Sequence, residues 1–156
     1  MRGLTVALTA SFLVSLAGAM SAAGEKAACA LLSQADVSTT LGAPVPGGTP
    51  IASPASCQWI GKGKMATLVL RQPRDGRSPV DQFNAGKKTL AGITVEPVSG
   101  VGDDAYYVYF SKTTRAGLGL VVKKGSSAFE VRVYGFDLDK AKPVAKTLAQ
   151  NAAGKL

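Results

Sequence analysis

The 156-residue chain contains no histidine, the side chain most often used as a general base and as a metal ligand. Zinc centres and Ser-His or Cys-His catalysis are therefore not expected, and we predict neither a metal nor another cofactor. Acidic residues are also few, with 10 Asp and Glu against 18 Lys and Arg, which gives a formal net charge of +8. The composition predicts a basic protein that is not an enzyme.

Long apolar runs are missing after the N-terminus. The one such run extends from Leu4 to about Ala19, follows a single arginine and is itself followed by small residues. This order is typical of a secretory signal peptide, and cleavage after Ala19 or after Ala23 fits it equally. The run is shorter than the roughly 20 residues that span a bilayer, so we expect no transmembrane segment after signal cleavage.

With the later cleavage site, residues 1–23 form the signal peptide and residues 24–156 a single domain of ordinary size. The expected location is secreted or periplasmic, and a monomer is expected. Because export removes the usual targets and no basic-aromatic motif is present, nucleic acid is not an expected partner.

Cysteine occurs only twice, at Cys29 and Cys57. In an exported chain two cysteines predict one disulfide bond. A redox pair is the weaker interpretation, because the chain has no C-x-x-C motif and no basic residue beside either thiol.

Local patterns predict an α+β fold with helices in the N-terminal, middle and C-terminal parts of the chain. Ser33 and Gly42 are suitable ends for the first helix, Ser78 begins the second, and the last begins near Asp137 or Asp139. Pro143 favours the later start, because proline is tolerated best in the first turn of a helix.

Alternating apolar residues predict a largely antiparallel sheet of about five or six strands, against which the three helices pack. A hairpin over residues 57–72 places Cys57 and Trp59 on one face, with the indole beside the disulfide. The segment 43–56 contains four prolines and two glycines and is predicted to be a loop. Near the C-terminus, Glu130 and Arg132 fall on the predicted wet face of the sheet.

The stretch "SGVGDDAYYVYF" is predicted to be a turn that leads into a strand. Its turn-forming residues are Gly100, Gly102, Asp103 and Asp104. The glycines permit positive φ, and the carboxylates can accept bonds from backbone N–H groups. A metal site needs several convergent ligands, and adjacent residues of a strand point apart, so the two aspartates are interpreted as turn formers.

The strand after this turn carries three tyrosines, which alternate between the two faces of the sheet. Together with the lone tryptophan they form the candidate ligand or partner surface: Trp59, Tyr106, Tyr107 and Tyr109. Packing in the core or at the rim is the favoured account of each ring, and a groove for an amphiphile or a peptide is the alternative.

Basic residues cluster near predicted turns. Arg71, Arg74 and Arg77 are the candidate anion-binding group, because cations that converge on one face would bind lipid head groups or cell-wall polymers. Such residues are more often simply solvated.

The pieces "AACALLSQADVSTTLGAPV", "SCQW", "PVSGVGDDAYY", "LVVKKGSSAFEV" and "AKTLAQNAAGKL" together resemble a widespread group of small exported bacterial proteins of unknown function. Many members of that group are lipoproteins. The shared features are a C-x-L-L helix, a C-x-W strand and a G-x-G-D-x-A turn. The resemblance implies a fold and an envelope location and supplies no catalytic residues.

One departure from that group concerns the first cysteine. Lys26, Ala27 and Ala28 precede Cys29 in place of a lipobox, so lipidation at Cys29 is not expected. The sequence favours a non-enzymatic envelope module that binds an envelope protein or an anionic envelope polymer. A soluble carrier or sensor of a small amphiphilic ligand, with a pocket near Trp59 and the tyrosine strand, is the alternative.

Overall fold

A computed structural model describes residues 27–88, 92–110 and 117–156. The predicted signal peptide lies outside the described residues. Over the described part of the chain the predicted α+β class is confirmed, with helices in the N-terminal, middle and C-terminal regions. No helix among these residues is long and apolar enough to cross a membrane.

The described helices are α1 (Gln34–Leu41), α2 (Pro79–Gly86) and α3 (Leu138–Ala153), with a short 3-10 helix at Ala28–Ala30 before them. The described strands are β1 (Thr49–Ile51), β2 (Ser53–Gly61), β3 (Lys64–Leu70), β4 (Ile93–Val98), β5 (Asp104–Phe110), β6 (Leu118–Lys124) and β7 (Ser127–Tyr134). All seven belong to one antiparallel sheet in the order β1-β2-β3-β7-β6-β5-β4. The sheet is slightly larger than the predicted five or six strands.

The segment 43–56 contains strand β1 and the start of β2, so the prediction of a loop there is wrong. Pro50 pairs with Cys57 although proline has no backbone N–H to donate. It can do so because β1 is the outermost strand and pairs on one side only, which is where sheets accept proline. The number of prolines and glycines in a segment does not show that the segment lies at the edge of a sheet.

The predicted starts of the first two helices are confirmed by their caps. The hydroxyl of Ser33 accepts from the N–H of Asp36, whose carboxylate accepts in turn from the N–H of Ser33. Ser78 and Asp81 form the same reciprocal pair at the start of α2. Gly42 ends α1 with a φ of 61°, a left-handed conformation that glycine adopts at little cost.

Helix α3 begins after Asp137, so the expectation of a later start is wrong. Pro143 consequently lies in the second turn and leaves the carbonyl of residue 139 without its helical N–H partner. Asp139 is exposed, so water can satisfy that carbonyl. Solvation at the surface therefore makes the internal proline tolerable.

The sheet has apolar contacts on both faces. Helices α1 and α3 and the 3-10 helix cover one face and enclose the larger core, which includes Trp59, Leu68, Leu120 and Val131. Helix α2 packs on the opposite face, where Phe83, Tyr106, Val121 and Ala128 form a smaller cluster. The alternation in β7 suggested that this second face is exposed to solvent, but helix α2 covers part of it.

Candidate functional site

The predicted disulfide is confirmed. Cys29, in the 3-10 helix, is bonded to Cys57 of β2, 28 residues later. Cys57 and Trp59 are both buried on the same face of β2. A Cβ atom added at Gly48 would lie 2.6 Å from the Cys57 sulfur and 2.7 Å from the Trp59 indole, so the ring and the disulfide meet at this glycine.

Trp59 is only 1% exposed, and its ring belongs to the larger core. The indole Nε1 has no hydrogen-bond partner among the described residues. In this structure Trp59 therefore presents no ring to a ligand or partner, and its contacts are those of a packing residue.

Tyr106 lies on the opposite face of the sheet, beneath helix α2. Its ring centroid is 5.1 Å from that of Phe83, and its hydroxyl donates to the Phe83 carbonyl oxygen at 3.2 Å. Burial raises the pKa of the Tyr106 phenol. These contacts fix α2 to the sheet and leave Tyr106 2% exposed.

Tyr107 and Tyr109 face helix α3, where they meet Lys142 and Glu96. The Tyr107 hydroxyl donates to the Lys142 carbonyl oxygen at 3.0 Å, and the Tyr109 hydroxyl donates to Glu96 Oε2 at 3.2 Å. Lys142 Nζ lies 5.6 and 5.7 Å from the two ring centroids. Tyr107 is buried, with a pKa raised by desolvation, while Tyr109 is half-buried.

The glycine-aspartate stretch forms a turn, with positive φ at Gly100 (76°) and Gly102 (58°). Asp103 Oδ2 accepts from the N–H of Gly125, 2.6 Å away in the turn between β6 and β7. Asp104, the first residue of β5, instead forms an ion pair with Lys87 at the end of α2. The two aspartates hold different elements together and do not converge on one point.

The described residues contain no group of three or more His, Cys, Asp or Glu side chains placed to hold a metal ion.

Arg74 and Arg77 pair across a tight turn, in which each backbone N–H donates to the other's carbonyl, at 3.1 and 2.9 Å. The two residues between them, Asp75 and Gly76, have positive φ values of 52° and 72°. This geometry is that of a two-residue hairpin turn, for which Asp-Gly is a favoured sequence. The turn places both arginines directly after the segment that contains Arg71.

Arg71 and Arg74 line an open groove of about 400 Å³, which we call the arginine groove. It is formed by residues 51–53, 55–56, 69–74 and Gln82. No Asp or Glu is among these lining residues. Val69, 41% exposed, adds an apolar patch. Of the three predicted arginines, the structure thus brings two into one hollow and places Arg77 on the adjoining turn.

Two acidic residues pair with the arginines of this groove. Asp75 Oδ2 lies 3.4 Å from Arg74 Nε, in an exposed ion pair. Glu130 on β7 pairs with Arg71. Its Oε1 lies 2.5 Å from Arg132 Nη2 and 3.0 Å from Arg132 Nε, and its Oε2 lies 3.4 Å from Arg71 Nη2. Although burial lowers the pKa of Arg132, its contact with Glu130 leaves that pKa above the usual value. The sequence suggested that Glu130 and Arg132 are solvated, but their side chains are only 17% and 25% exposed.

A second open groove, of about 900 Å³, lies beside the start of helix α3. We call it the Phe136 groove; it is lined by Lys64, Gly135, Phe136, Asp137, Lys140, Pro143 and Val144. Lys64 Nζ donates to the Leu41 carbonyl at 2.7 Å and lies 4.8 Å from the centre of the Phe136 ring. The sequence offered no signal for this groove, since strand β3 and helix α3 meet here only through the tertiary fold.

Comparisons of the chain with models of protein families, with curated proteins and with solved structures found no match.

Proposed function

We propose that this chain is an exported, non-enzymatic cell-envelope protein that binds an anionic envelope component through the arginine groove. The observation that carries the proposal is a groove with two arginines, an exposed valine and no acidic lining residue. Clustered cations beside an apolar wall favour anions, and the excess of basic over acidic residues in the chain favours their approach. The partner is an anionic polymer or an acidic face of an envelope protein, and the binding species is a monomer.

Export is supported by the apolar N-terminal run and by the Cys29–Cys57 disulfide, since disulfides persist in oxidising compartments. The resemblance to small exported bacterial proteins points to the same location. Lipidation would require the sulfur of Cys29, which is bonded to Cys57. We therefore propose a secreted or periplasmic protein without a lipid anchor.

The proposal that the protein is not an enzyme is supported by the uses of six acidic side chains. Asp36 and Asp81 cap helices, while Glu96, Asp103, Asp104 and Glu130 form hydrogen bonds or ion pairs with cations. The capping hydroxyls lower the pKa of Asp36 and Asp81, which keeps both ionised at neutral pH. A general acid needs the opposite shift, toward neutrality.

Binding to phosphatidylglycerol vesicles at low salt tests the proposal with a defined anionic surface. Each basic residue at such a surface contributes about 1 kcal/mol, so replacing Arg71, Arg74 and Arg77 by Ser should weaken binding roughly 100-fold. The control replaces three exposed lysines outside this groove, Lys62, Lys88 and Lys140, by Ser. Equal losses in the two variants, or no binding by the unmodified protein at low salt, would contradict the proposal.

A soluble carrier of a small amphiphile is the second candidate, and the Phe136 groove is the observation that favours it. Phe136, Pro143 and Val144 provide apolar surface there, and Lys140 provides a cation for an acidic head group. The carrier site would then lie away from Trp59 and Tyr106, which are buried. Fluorescence titration with anilinonaphthalene sulfonate tests it: Phe136→Ser should abolish saturable binding, and Arg71→Ser should leave it unchanged.

A further inference from the structure

Arg71 and Arg132 share the carboxylate of Glu130 unequally. Arg132 donates from Nη2 and Nε at 2.5 and 3.0 Å, while the single contact of Arg71 is 3.4 Å long. Good N–H···O bonds measure about 2.7–3.2 Å, so the contact of Arg71 is weak. Both contacts of Arg132 are with Oε1, and that of Arg71 is with Oε2. If Arg71 leaves, Oε2 loses this contact, but the charge of Glu130 stays paired with Arg132.

The Nε–H of Arg71 is buried and has no hydrogen-bond partner among the described residues. Leaving a buried donor unpaired costs free energy, so an acceptor that reached this group would recover that cost. The Arg71 side chain is 32% exposed and lines the arginine groove, which leaves it room to turn. An acceptor in the groove could therefore draw Arg71 away from Glu130.

Backbone conformation sets this groove apart from the rest of the described chain. Ala52 and Asp75 are the non-glycine residues with positive φ that the described chain contains, at 61° and 52°. The φ of Asp75 is explained by its Asp-Gly hairpin turn, which favours positive φ. Ala52 lines the groove and has no such explanation. A left-handed conformation is costly for alanine, and such conformations cluster at binding sites, so Ala52 adds an indication that the groove is a ligand site.

We propose that the arginine groove binds a single oxyanion, carboxylate or phosphate, that is attached to aliphatic carbon. This inference rests on the proposed function and specifies its ligand. Arg71 turns from Glu130 into the groove, and its Nε and Nη groups donate to the two oxygens of the anion, the fork geometry in which guanidinium binds oxyanions. The aliphatic carbon covers Val69, which is 41% exposed in the free groove.

Titration of the full mature protein with sodium butyrate, followed in ¹⁵N and ¹³C NMR spectra, tests the proposal. The Arg71 Nε–Hε signal and the Val69 methyl signals should shift together and saturate. Inorganic phosphate should shift the Arg71 signal and leave Val69 unchanged, which distinguishes the free anion from one with an aliphatic part. An Arg71 Nε–Hε signal that stays fixed with both probes overturns the inference.

Two variants separate the fork of Arg71 from its charge. Arg71→Lys keeps the charge and removes Nε, and should weaken butyrate binding at least tenfold, while the control Arg77→Lys should change it less than twofold. Equal effects would overturn the inference. The ligand assignment alone fails if Arg71→Lys keeps full affinity for anionic vesicles and the Arg71 Nε–Hε signal of the unmodified protein does not shift with either probe. The proposed function fails if the unmodified protein does not bind the vesicles.

Glu130→Gln removes the charge that holds Arg71 and should strengthen butyrate binding several-fold. In the Arg71→Lys background the same change should have a smaller effect, because only the loss of charge repulsion remains and the lysine lacks the fork. A double-mutant cycle measures this coupling directly. Weaker binding by Glu130→Gln, with its thermal unfolding unchanged, would contradict the release of Arg71 from Glu130.

Discussion

Lys142 Nζ donates to both carboxylate oxygens of Glu96, at 2.7 and 2.9 Å, and so joins helix α3 to the edge strand β4. The two residues are 46 positions apart in sequence. Tyr109 donates to the same carboxylate, and the Lys142 ammonium group lies near the rings of Tyr107 and Tyr109. The tyrosines that suggested a contact surface thus belong, in this structure, to a contact between helix and sheet.

This ion pair should make stability depend on pH at both extremes. The hydrogen bond from Lys142 lowers the pKa of Glu96, and the bond to Glu96 raises that of Lys142. The contribution of Glu96 should be full above its ordinary pKa of about 4.3 and lost as the pH falls through the lowered value. That of Lys142 should be full below about pH 10.4 and lost as the pH rises through the raised value.

The Glu96 side chain is 42% exposed, so solvent screens the pair and we expect a coupling of only about 0.5 kcal/mol. Urea unfolding of the wild type, Glu96→Gln, Lys142→Met and the double variant at pH 7 measures it. At pH 3 the coupling should shrink. A coupling of zero at pH 7 would show that the pair contributes nothing to stability.

Reduction of the Cys29–Cys57 disulfide should destabilise the protein by about 3 to 4 kcal/mol, because the bond closes a loop between residues 28 positions apart. Urea unfolding with and without a reducing agent measures this difference on one sequence, so no substitution disturbs the buried site of Cys57. A thiol assay of the oxidised native protein should find no free thiol. Two titratable thiols would contradict the bond.

Local signals predicted the elements well where short-range chemistry determines them. The caps at Ser33 and Ser78 depend on residues three positions apart. The burial of Cys57 and Trp59 on one face follows from the two-residue period of a strand. These features need no knowledge of the remaining chain.

The contacts that define the arginine groove could not be predicted in the same way. Arg71 meets Glu130 because β3 pairs with β7, the last strand, and 59 residues separate the two side chains. Strand β1 was missed for a related reason, since only its edge position makes Pro50 acceptable. The Arg71–Glu130 contact and the position of β1 both depend on which strands pair. The alternation of residues along one strand does not reveal which strand it pairs with.

Asp103 connects its own turn with the turn between β6 and β7, which contains Gly125. The titration of Asp103 should therefore be visible in the NMR signal of the Gly125 amide. The N–H of Gly125 lowers the pKa of Asp103 by donating to its carboxylate, and the Lys124 ammonium group assists at 3.4 Å. The Gly125 amide proton should therefore move upfield as the pH falls through a value below the ordinary aspartate pKa of about 3.9. Asp103→Asn, which keeps an acceptor but cannot titrate, is the control, and a pH-independent Gly125 signal in the wild type would contradict the contact.

Gly135 has a φ of 83° and faces the turn between β2 and β3 so closely that a Cβ atom there would overlap the carbonyl oxygen of Gly63. Gly125 has a φ of 57° but open space around its Cα. Alanine at either position adopts the costly left-handed conformation, whereas alanine at Gly135 must also displace backbone.

We therefore expect Gly125→Ala to cost about 1 kcal/mol of unfolding free energy and Gly135→Ala about 3 kcal/mol. Urea unfolding measures both losses. Their difference gives the cost of the close contact between residue 135 and Gly63, because both variants share the cost of a left-handed alanine. Gly63→Ala, whose Cβ would also enter open space, should behave like Gly125→Ala. Equal losses at Gly125 and Gly135 would mean that the backbone at Gly135 can move away from Gly63 without cost. The close contact between these two glycines would then not be what shapes the Phe136 groove beside Gly135.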